Sequence, residues 1–447
     1  MKQLLILLLL SAVGFNAAAG TDCWTYTPPP AGKTRGSIAW TDSSGFENVI
    51  KGVVLSGGQI RIIPGENKYS TTLRNADFSV PVHDEDGNEL AYSPDFLAGR
   101  DDTGQSILAY IEGLTNVVMN TNATGIGNYA LKSNPNLVRV RLNDGLLSIG
   151  TQAFYQDTAL AVIENFLPDS VKSLGNEAFR ECKALPGLVI GNGLETVGSR
   201  AFHTCSLLQG VDFGASSVET FPDYVFYSCP KIGSVVLPDT TRVIGNGCFA
   251  DCTSLTNIAP LLPPRLATLG SDGTPAWRDD PIEGHVVSPP TLARIGTRAF
   301  RTSKIETFTA AKKGLKSIGQ YAFFQNYNLT NIVLSATMEN IESNWMDGSG
   351  TTGIRQHVWF RNLPASLPSG LWTNTKSQNI TVHLPWSQRD AWREWVSSGP
   401  SGHTFTFNSA TNTLPERLND VGTWKATVVQ NVTWWKDFDQ HFTITVR

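Results

Sequence analysis

Apolar positions return along this chain at a fixed interval and in a fixed order. The segment Ile149-Gly150, followed by Ala153-Phe154, recurs at Leu174 to Phe179, Val197 to Phe202, Ile244 to Phe249, Ile295 to Phe300 and Ile318 to Phe323. With the degenerate copies included, the leading residue stands at Ile126, Ile149, Leu174, Val197, Phe221, Ile244, Leu269, Ile295, Ile318, Ile341 and Leu367, so neighbouring anchors lie 23 to 26 residues apart. A second apolar residue usually precedes the anchor by three positions, as at Leu146, Val171, Leu194, Leu266 and Leu315. Short alternating runs follow the Phe, such as Leu208, Val211, Phe213 and Leu329, Ile332, Leu334. A final spacing of two is strand periodicity, and one such strand per two dozen residues predicts a solenoid of about eleven coils.

The period assigns each column a task. One coil cannot bury its own Phe, but stacked coils line up Leu131, Phe154, Phe179, Phe202, Phe226, Phe249, Phe300 and Phe323 into a shared apolar spine. Each buried Phe should contribute about 2 to 3 kcal/mol. The Gly after the anchor, as at Gly150, Gly175, Gly198 and Gly319, is expected to permit a tight bend. Eight residues past the anchor stand Cys182, Cys205, Cys229 and Cys252, where other coils place Asn134, Asp157, Ser303 and Asn326. Such a column suits a small side chain that satisfies backbone groups inside a turn. Free buried thiols are the favoured reading, with Cys182–Cys205 and Cys229–Cys252 disulfides as the alternative.

These units resemble the BspA-like class of leucine-rich repeats. The resemblance is carried by Leu185 to Leu194 followed by Val197-Gly198-Ser199-Arg200-Ala201-Phe202-His203-Thr204-Cys205, and by the Pro-containing form Val235-Val236-Leu237-Pro238. It implies a leucine-rich repeat solenoid of β-rich α/β class, with one short parallel strand plus a turn or short helix per coil, over residues 106–396. It also implies a secreted or surface-exposed protein, of a kind that sometimes acts as an adhesin, and it brings no catalytic residues.

The ends read differently. Residues 1–19, with the apolar run Leu4 to Leu10 and then Ala17-Ala18-Ala19, have the layout of a cleavable export signal, and the run is shorter than the ~20 residues needed to cross a bilayer. Residues 20–105 predict a small β-rich N-terminal cap, since a stack of coils exposes apolar ends. Within it, Asp84-Glu85-Asp86-Gly87-Asn88 reads as a hairpin turn rather than a calcium loop, because Gly falls at the fourth position. Residues 397–447 predict a C-terminal β-strand module from the alternation in Thr404 to Phe407, Thr423 to Val429 and His441 to Val446. Asp390 to Trp395 predicts a short closing helix, and the Pro-rich stretch 261–290 a loop that widens one or two coils.

Composition narrows the function classes. With 35 Lys+Arg against 39 Asp+Glu, a net charge of -4 and 17% charged residues, the chain is not built to bind a polyanion and is not a charged disordered segment. The seven His are scattered, and phosphate loops, dinucleotide fingerprints and nucleophile elbows are missing, so neither a metal nor a cofactor nor a catalytic residue is expected. What remains is surface. Between the buried aliphatics of the expected sheet, Arg139, Arg141, Glu164, Asp212, Ser234, Val236, Asn257, Thr307, Thr309, Asn331 and Val333 are expected to face solvent as a candidate binding face. The partner expected is a protein or glycan on a cell or matrix surface. Glycan binding by the late tryptophans (Trp359, Trp372, Trp386, Trp392, Trp395, Trp424, Trp434, Trp435) is the alternative, and an enzyme without a local motif the third.

Overall fold

The computed structural model describes residues 23–362 apart from 57, 63–66, 68–69, 98–106, 165–166, 258–260, 271–275, 278–279 and 350–355, together with Pro364 and the strands 380–385, 404–408, 415–417, 423–429 and 441–446. The export segment 1–19, the closing helix expected at Asp390 to Trp395 and the anchor Leu367 lie outside the described residues. The chain forms two compact units, Met1–Pro238 and Asp239–Arg447.

Unit 1 opens with a closed barrel. Its strands are β1 (Trp24–Thr27), β2 (Gly36–Thr41), β3 (Glu47–Ser56) and β4 (Gln59–Ile62), then, after β5 (Asn75–Asp77), β6 (Val82–His83) and β7 (Glu89–Tyr92). They run in the order β1-β2-β3-β4-β7-β6, with β6 returning parallel to β1. Alternation drives this closure, for β3 and β4 bury Ile50, Val53, Ile60 and Ile62, and Trp24, Phe78 and Phe96 are buried as well. β6 and β7 pair antiparallel across the Asp84 turn, whose carboxylate Oδ1 accepts from the Asp86 and Asn88 N–H groups. β5 leaves the barrel and pairs in parallel with Asn116–Val118, so the sheet of the repeats begins inside the segment expected as cap.

The coils depart from expectation in two ways. Most have two short strands rather than one: in unit 1, Arg139–Arg141 and Ser148–Ile149 belong to separate parallel ladders, one through Asn116–Val118 and Val162–Glu164, the other through Gly125–Ile126, Ser173–Leu174 and Thr196–Val197. The expected short helix is not formed; no α-helix occurs among the described residues. Apolar spacing alone would permit one, since Ile149, Ala153, Phe154 and Asp157 follow a helical stripe. Instead the chain makes two turns in tandem. Ala153 N–H bonds Gly150 O and Asp157 N–H bonds Phe154 O, with Gln152 at φ 53° and Gln156 at φ 61° in the third turn positions, as a type II turn requires.

The reason lies in where the remaining N–H groups go. Gln152, Phe154 and Gln156 donate to Asn176, Ala178 and Arg180 carbonyls of the next coil at 2.8, 2.8 and 2.9 Å. The same alternation continues through Glu177, Phe179 and Glu181, and through Arg200, Phe202 and Thr204. A helix would turn such donors back along its own coil and leave the coils linked by the strand ladders alone.

The side chains complete the stack. Phe154, Phe179, Phe202 and Phe226 lie ring on ring at 5.1, 5.6 and 5.5 Å, all fully buried. The glycine column has a different basis from the bend anticipated. Gly150, Gly175, Gly198 and Gly319 do not have positive φ. A Cβ on Gly175 would instead sit 2.3 Å from Thr151 N, and one on Gly198 2.3 Å from Asn176 N, so backbones of successive coils touch there.

Unit 2 repeats the design with substitutions. Anchor strands Val243–Ile244, Thr268–Leu269, Arg294–Ile295, Ser317–Ile318 and Asn340–Ile341 pair in parallel, and so do Glu283–Val287, Lys304–Thr309, Asn331–Leu334, Gln356–Phe360 and Ile380–Pro385. The second ladder continues into antiparallel His441–Val446 and Thr423–Val429. Within the stretch expected as a widening loop, Trp277 is fully buried and stacks between Phe249 (6.0 Å) and Phe300 (5.4 Å). It fills the place of the Phe that this coil lacks. Phe323 continues the spine at 5.2 Å from Phe300.

Candidate binding faces

The residues expected on a solvent-facing sheet do not form one row. In unit 1, Arg139, Val140 and Arg141 pair in register with Val162, Ile163 and Glu164, and Val140 points to the core. Arg139 Nη1 meets Glu164 Oε1 at 2.5 Å, both partly shielded, so the two charges largely cancel. Arg141 stays exposed. Asp212 and Ser234 belong to a separate ladder, Gly187–Val189, Gly210–Asp212, Ser234–Val236. There Asp212 Oδ1 accepts from Gly214 N–H at 2.7 Å, and Asp212 lies between Val189 and Val236, the latter 42% exposed. This part of the face is shallow and nearly uncharged, because Gly187 and Gly210 have no side chains.

In unit 2, Thr307 lies in register with His285 and Asn331, its hydroxyl 2.9 Å from His285 Nδ1. Thr309 stands between Val287, 63% exposed, and Val333. Val333 corrects the expectation: it is only 6% exposed. Its neighbour in register is Trp359, itself 4% exposed, so the row turns apolar and covered at this end. The burial of Trp359 also removes one indole from the surface expected to stack on sugars. Trp372, Trp386, Trp392, Trp395, Trp434 and Trp435 lie outside the described residues. Asn257 is exposed, in a stretch without strand.

The thiol column is inward. None of the six cysteines is joined in a disulfide. Cys182, Cys205 and Cys229 direct Sγ at the carbonyls of Phe154, Phe179 and Phe202 in the preceding coil, each at 3.1 Å. Burial pushes the Cys182 and Cys205 thiols well up and the Cys229 thiol to about 12, which keeps the S–H donor in place and the sulfur unreactive. Cys252 is equally buried. Among the described residues no three His, Cys, Asp or Glu side chains gather in a way that could hold a metal ion.

A surface absent from the sequence reading lies on the tandem turns. Among the described residues, sixteen non-glycine residues with positive φ stand either three or seven positions past an anchor, from Tyr129 and Ser133 to Asn344. Between them, six past the anchor, come Lys132, Tyr155, Arg180, His203 and Tyr227. Lys132 Nζ lies 5.4 Å from the Tyr129 ring centroid and 4.7 Å from that of Tyr155, and the Arg180 guanidinium is 5.4 Å from Tyr155. Arg200 covers Tyr224 at 4.8 Å, His203 stacks on Tyr227 at 4.9 Å, and Tyr224 meets Tyr227 edge-on at 5.6 Å. Unit 2 repeats the motif, with Arg298 over Tyr321 and Arg301 over Phe324. Gln152 joins the ridge, accepting from Lys132 Nζ and donating to Glu177 Oε2, both at 2.8 Å. Burial, with Arg180 and Arg200 nearby, lowers the His203 pKa to about 4, so the ring is neutral at ordinary pH.

A signal for this ridge was present in the sequence. Comparing equal columns of neighbouring units places the pair Arg200/His203 before Tyr224/Tyr227 and Arg298/Arg301 before Tyr321/Phe324. Read within one unit, these positions are only spacers between the Gly and the Ala-Phe.

A family model described as a BspA type leucine-rich repeat region matches in six copies, over residues 102–166, 159–272 and 284–359. No curated protein matches the chain. Among solved structures, similar chains include a leucine-rich cell surface protein from Faecalibacterium prausnitzii, at 18% identity over 79% of this chain and 97% of that one, with a TM-score of 0.36. A leucine-rich repeat protein from Bacteroides ovatus is similar at 15% identity over 75% and 92%, with a TM-score of 0.34. The pneumococcal vaccine antigen PcpA is similar at 15% identity over 77% and 94%, with a TM-score of 0.35.

Proposed function

The chain belongs to the BspA-type leucine-rich repeat family, and from that premise we propose that it is a non-catalytic binding protein, exported to the cell surface or beyond, whose repeats hold another protein in adhesion. The observation that carries this reading is the ridge of tyrosines and cations on the turns. Tyr and Arg are enriched where protein partners meet, and Lys and Glu are depleted. Here the rings of Tyr129, Tyr155, Tyr224 and Tyr227 are already held by cations or by one another, so less side-chain freedom is lost on contact. Glu177 and Glu181 interleave with Arg180, at 3.4 and 3.5 Å, which favours a mixed protein surface over a polyanion. Export is supported by the apolar run Leu4 to Leu10 and the small residues after it.

The test uses the full mature chain on immobilised collagen and fibronectin, on cultured epithelial cells and on a glycan array. Retention by a protein or cell probe is expected to fall at least tenfold in the Tyr224→Ser/Tyr227→Ser variant while circular dichroism stays unchanged. Arg141→Glu/Val236→Asp asks the same of the sheet face. If no probe is retained above a control with a scrambled surface, the adhesive reading is wrong, and retention on glycans alone would favour the sugar-binding alternative.

A further inference from the structure

The column eight residues past each anchor has one job in most coils: it supplies a hydrogen-bond donor to the preceding coil. Asn134 Nδ2 donates to Leu108 O at 2.8 Å, Asn326 Nδ2 to Phe300 O at 2.7 Å, and the Cys182, Cys205 and Cys229 thiols to Phe154, Phe179 and Phe202 carbonyls. Where the side chain can also accept, it takes a donor from the same column one coil back: Asn134 Oδ1 accepts Ile111 N–H at 2.8 Å, and Asn326 Oδ1 accepts the Ser303 hydroxyl. Asp157 holds this column in its own coil and is fully buried. Its Oδ1 performs the accepting half, taking Asn134 N–H at 2.7 Å. Its Oδ2 is sealed from solvent with no donor turned toward it. A carboxylate there would be an acceptor placed where every neighbour in the column is a donor.

We propose that Asp157 is carried in the folded protein as a neutral carboxylic acid, its Oδ2–H taking over the donor role toward the Leu131 carbonyl, so that this coil is a joint that tightens in acid and loosens as the pH rises. Neither burial nor the single Asn134 N–H supplies a counter-charge for a carboxylate. The preceding coil presents Asn134, which is neutral; the following coil presents the Cys182 thiol, itself protonated; Arg180 and Glu181 stand outward on the ridge, paired with each other. Burial drives the carboxyl well above the usual carboxylate range, and the Asn134 N–H offsets only part of this. In unit 2, Asp280 is the acid of the equivalent column and repeats the accepting half, taking Cys252 N–H at 2.5 Å. A carboxyl held above its unfolded value stabilises the fold fully below about pH 3.9, and that contribution is lost as the pH climbs toward the raised value.

The experiment compares urea unfolding of the full chain and of Asp157→Asn between pH 4 and pH 9. Asn already serves in this column at 134 and 326, so the variant keeps the donor and cannot ionise. The unfolding constant of the natural chain is expected to rise relative to the variant by up to about tenfold per pH unit above pH 4. Infrared spectra at pH 7 should show a protonated-carboxyl band that the substitution abolishes. A ratio that stays flat from pH 4 to 9, or a band the substitution leaves in place, overturns the proposal. Should Asp157→Asn misfold, Asp157→Cys, which copies position 182, carries the same two measurements.

Discussion

Thr302 sits at φ 61° although its Cβ is branched, a conformation that costs L-residues about 1 to 2 kcal/mol. It stands at the third position of a tight turn, and its N–H donates to Phe324 O of the next coil at 2.8 Å. Thr302→Gly keeps that bond and removes the steric cost, so thermal and urea unfolding should report a gain of about 1 kcal/mol. A loss would mean that the side chain, rather than the backbone, determines the position. The same logic applies along both positive-φ columns, where Gln, Glu, Ser and Tyr occupy sites that glycine would tolerate more easily. Side chains are kept there although they cost backbone strain, which is consistent with a surface role for them.

The coil as an element is defended at two depths. Its Phe ring is stacked between those of its neighbours, so Phe202→Ala removes contacts on both sides and should cost about 4 kcal/mol in urea unfolding. Gly175 protects the approach of the backbones. Adding one methyl in Gly175→Ala would drive Cβ against Gly150 C at 2.4 Å, and we expect a loss of about 3 kcal/mol despite the slightly better chain entropy of Ala. If Gly175→Ala were neutral, the coils would be able to spread, and the inter-coil N–H bonds could not be as short as they are. Glycine here is a matter of packing between coils rather than of local conformation, which is why reasoning from turns alone assigns it the wrong cause.

At the scale of the whole molecule, unit 1 contains two shielded carboxyls with opposite dependence on pH. Asp42 lies at the barrel strand β2 and is nearly buried. Burial alone would raise its carboxyl, but hydrogen bonds from Ser44, Asn48, Asn75 and the Phe46 N–H outweigh it and hold the group below its ordinary value. Through Asn75 Nδ2 at 2.5 Å, and through Asn48 Oδ1, which accepts the Arg74 and Asn75 N–H groups, it fastens the barrel to the first strand of the repeat sheet. A lowered carboxyl contributes fully above about pH 3.9 and its contribution fades as the pH falls through the folded value. Asp42→Ala should therefore cost about 1 to 3 kcal/mol at pH 7, and the difference from the natural chain should shrink in urea titrations below pH 4. Asp157, with its raised carboxyl, moves the other way.

The repeat length, the identity of the buried columns and the strand alternation followed from the amino-acid order alone, because each depends on spacing within one coil. Phe154, Phe179 and Phe202 had to face a common interior whatever the turn between them. What only the tertiary structure decided depends on the residue two dozen positions away. The short helix gave way to tandem turns because Gln152, Phe154 and Gln156 donate to the next coil rather than back along their own. Trp277 entered the spine because stacking left a ring-sized gap there, and Val333 left the solvent because Trp359 lies beside it in register. The ridge from Tyr129 to Tyr227 likewise depends on neighbours across coils: a cation in one winding meets a ring in the next only when the coils are stacked, so its signal shows only where equal columns of neighbouring units are compared and not within one unit.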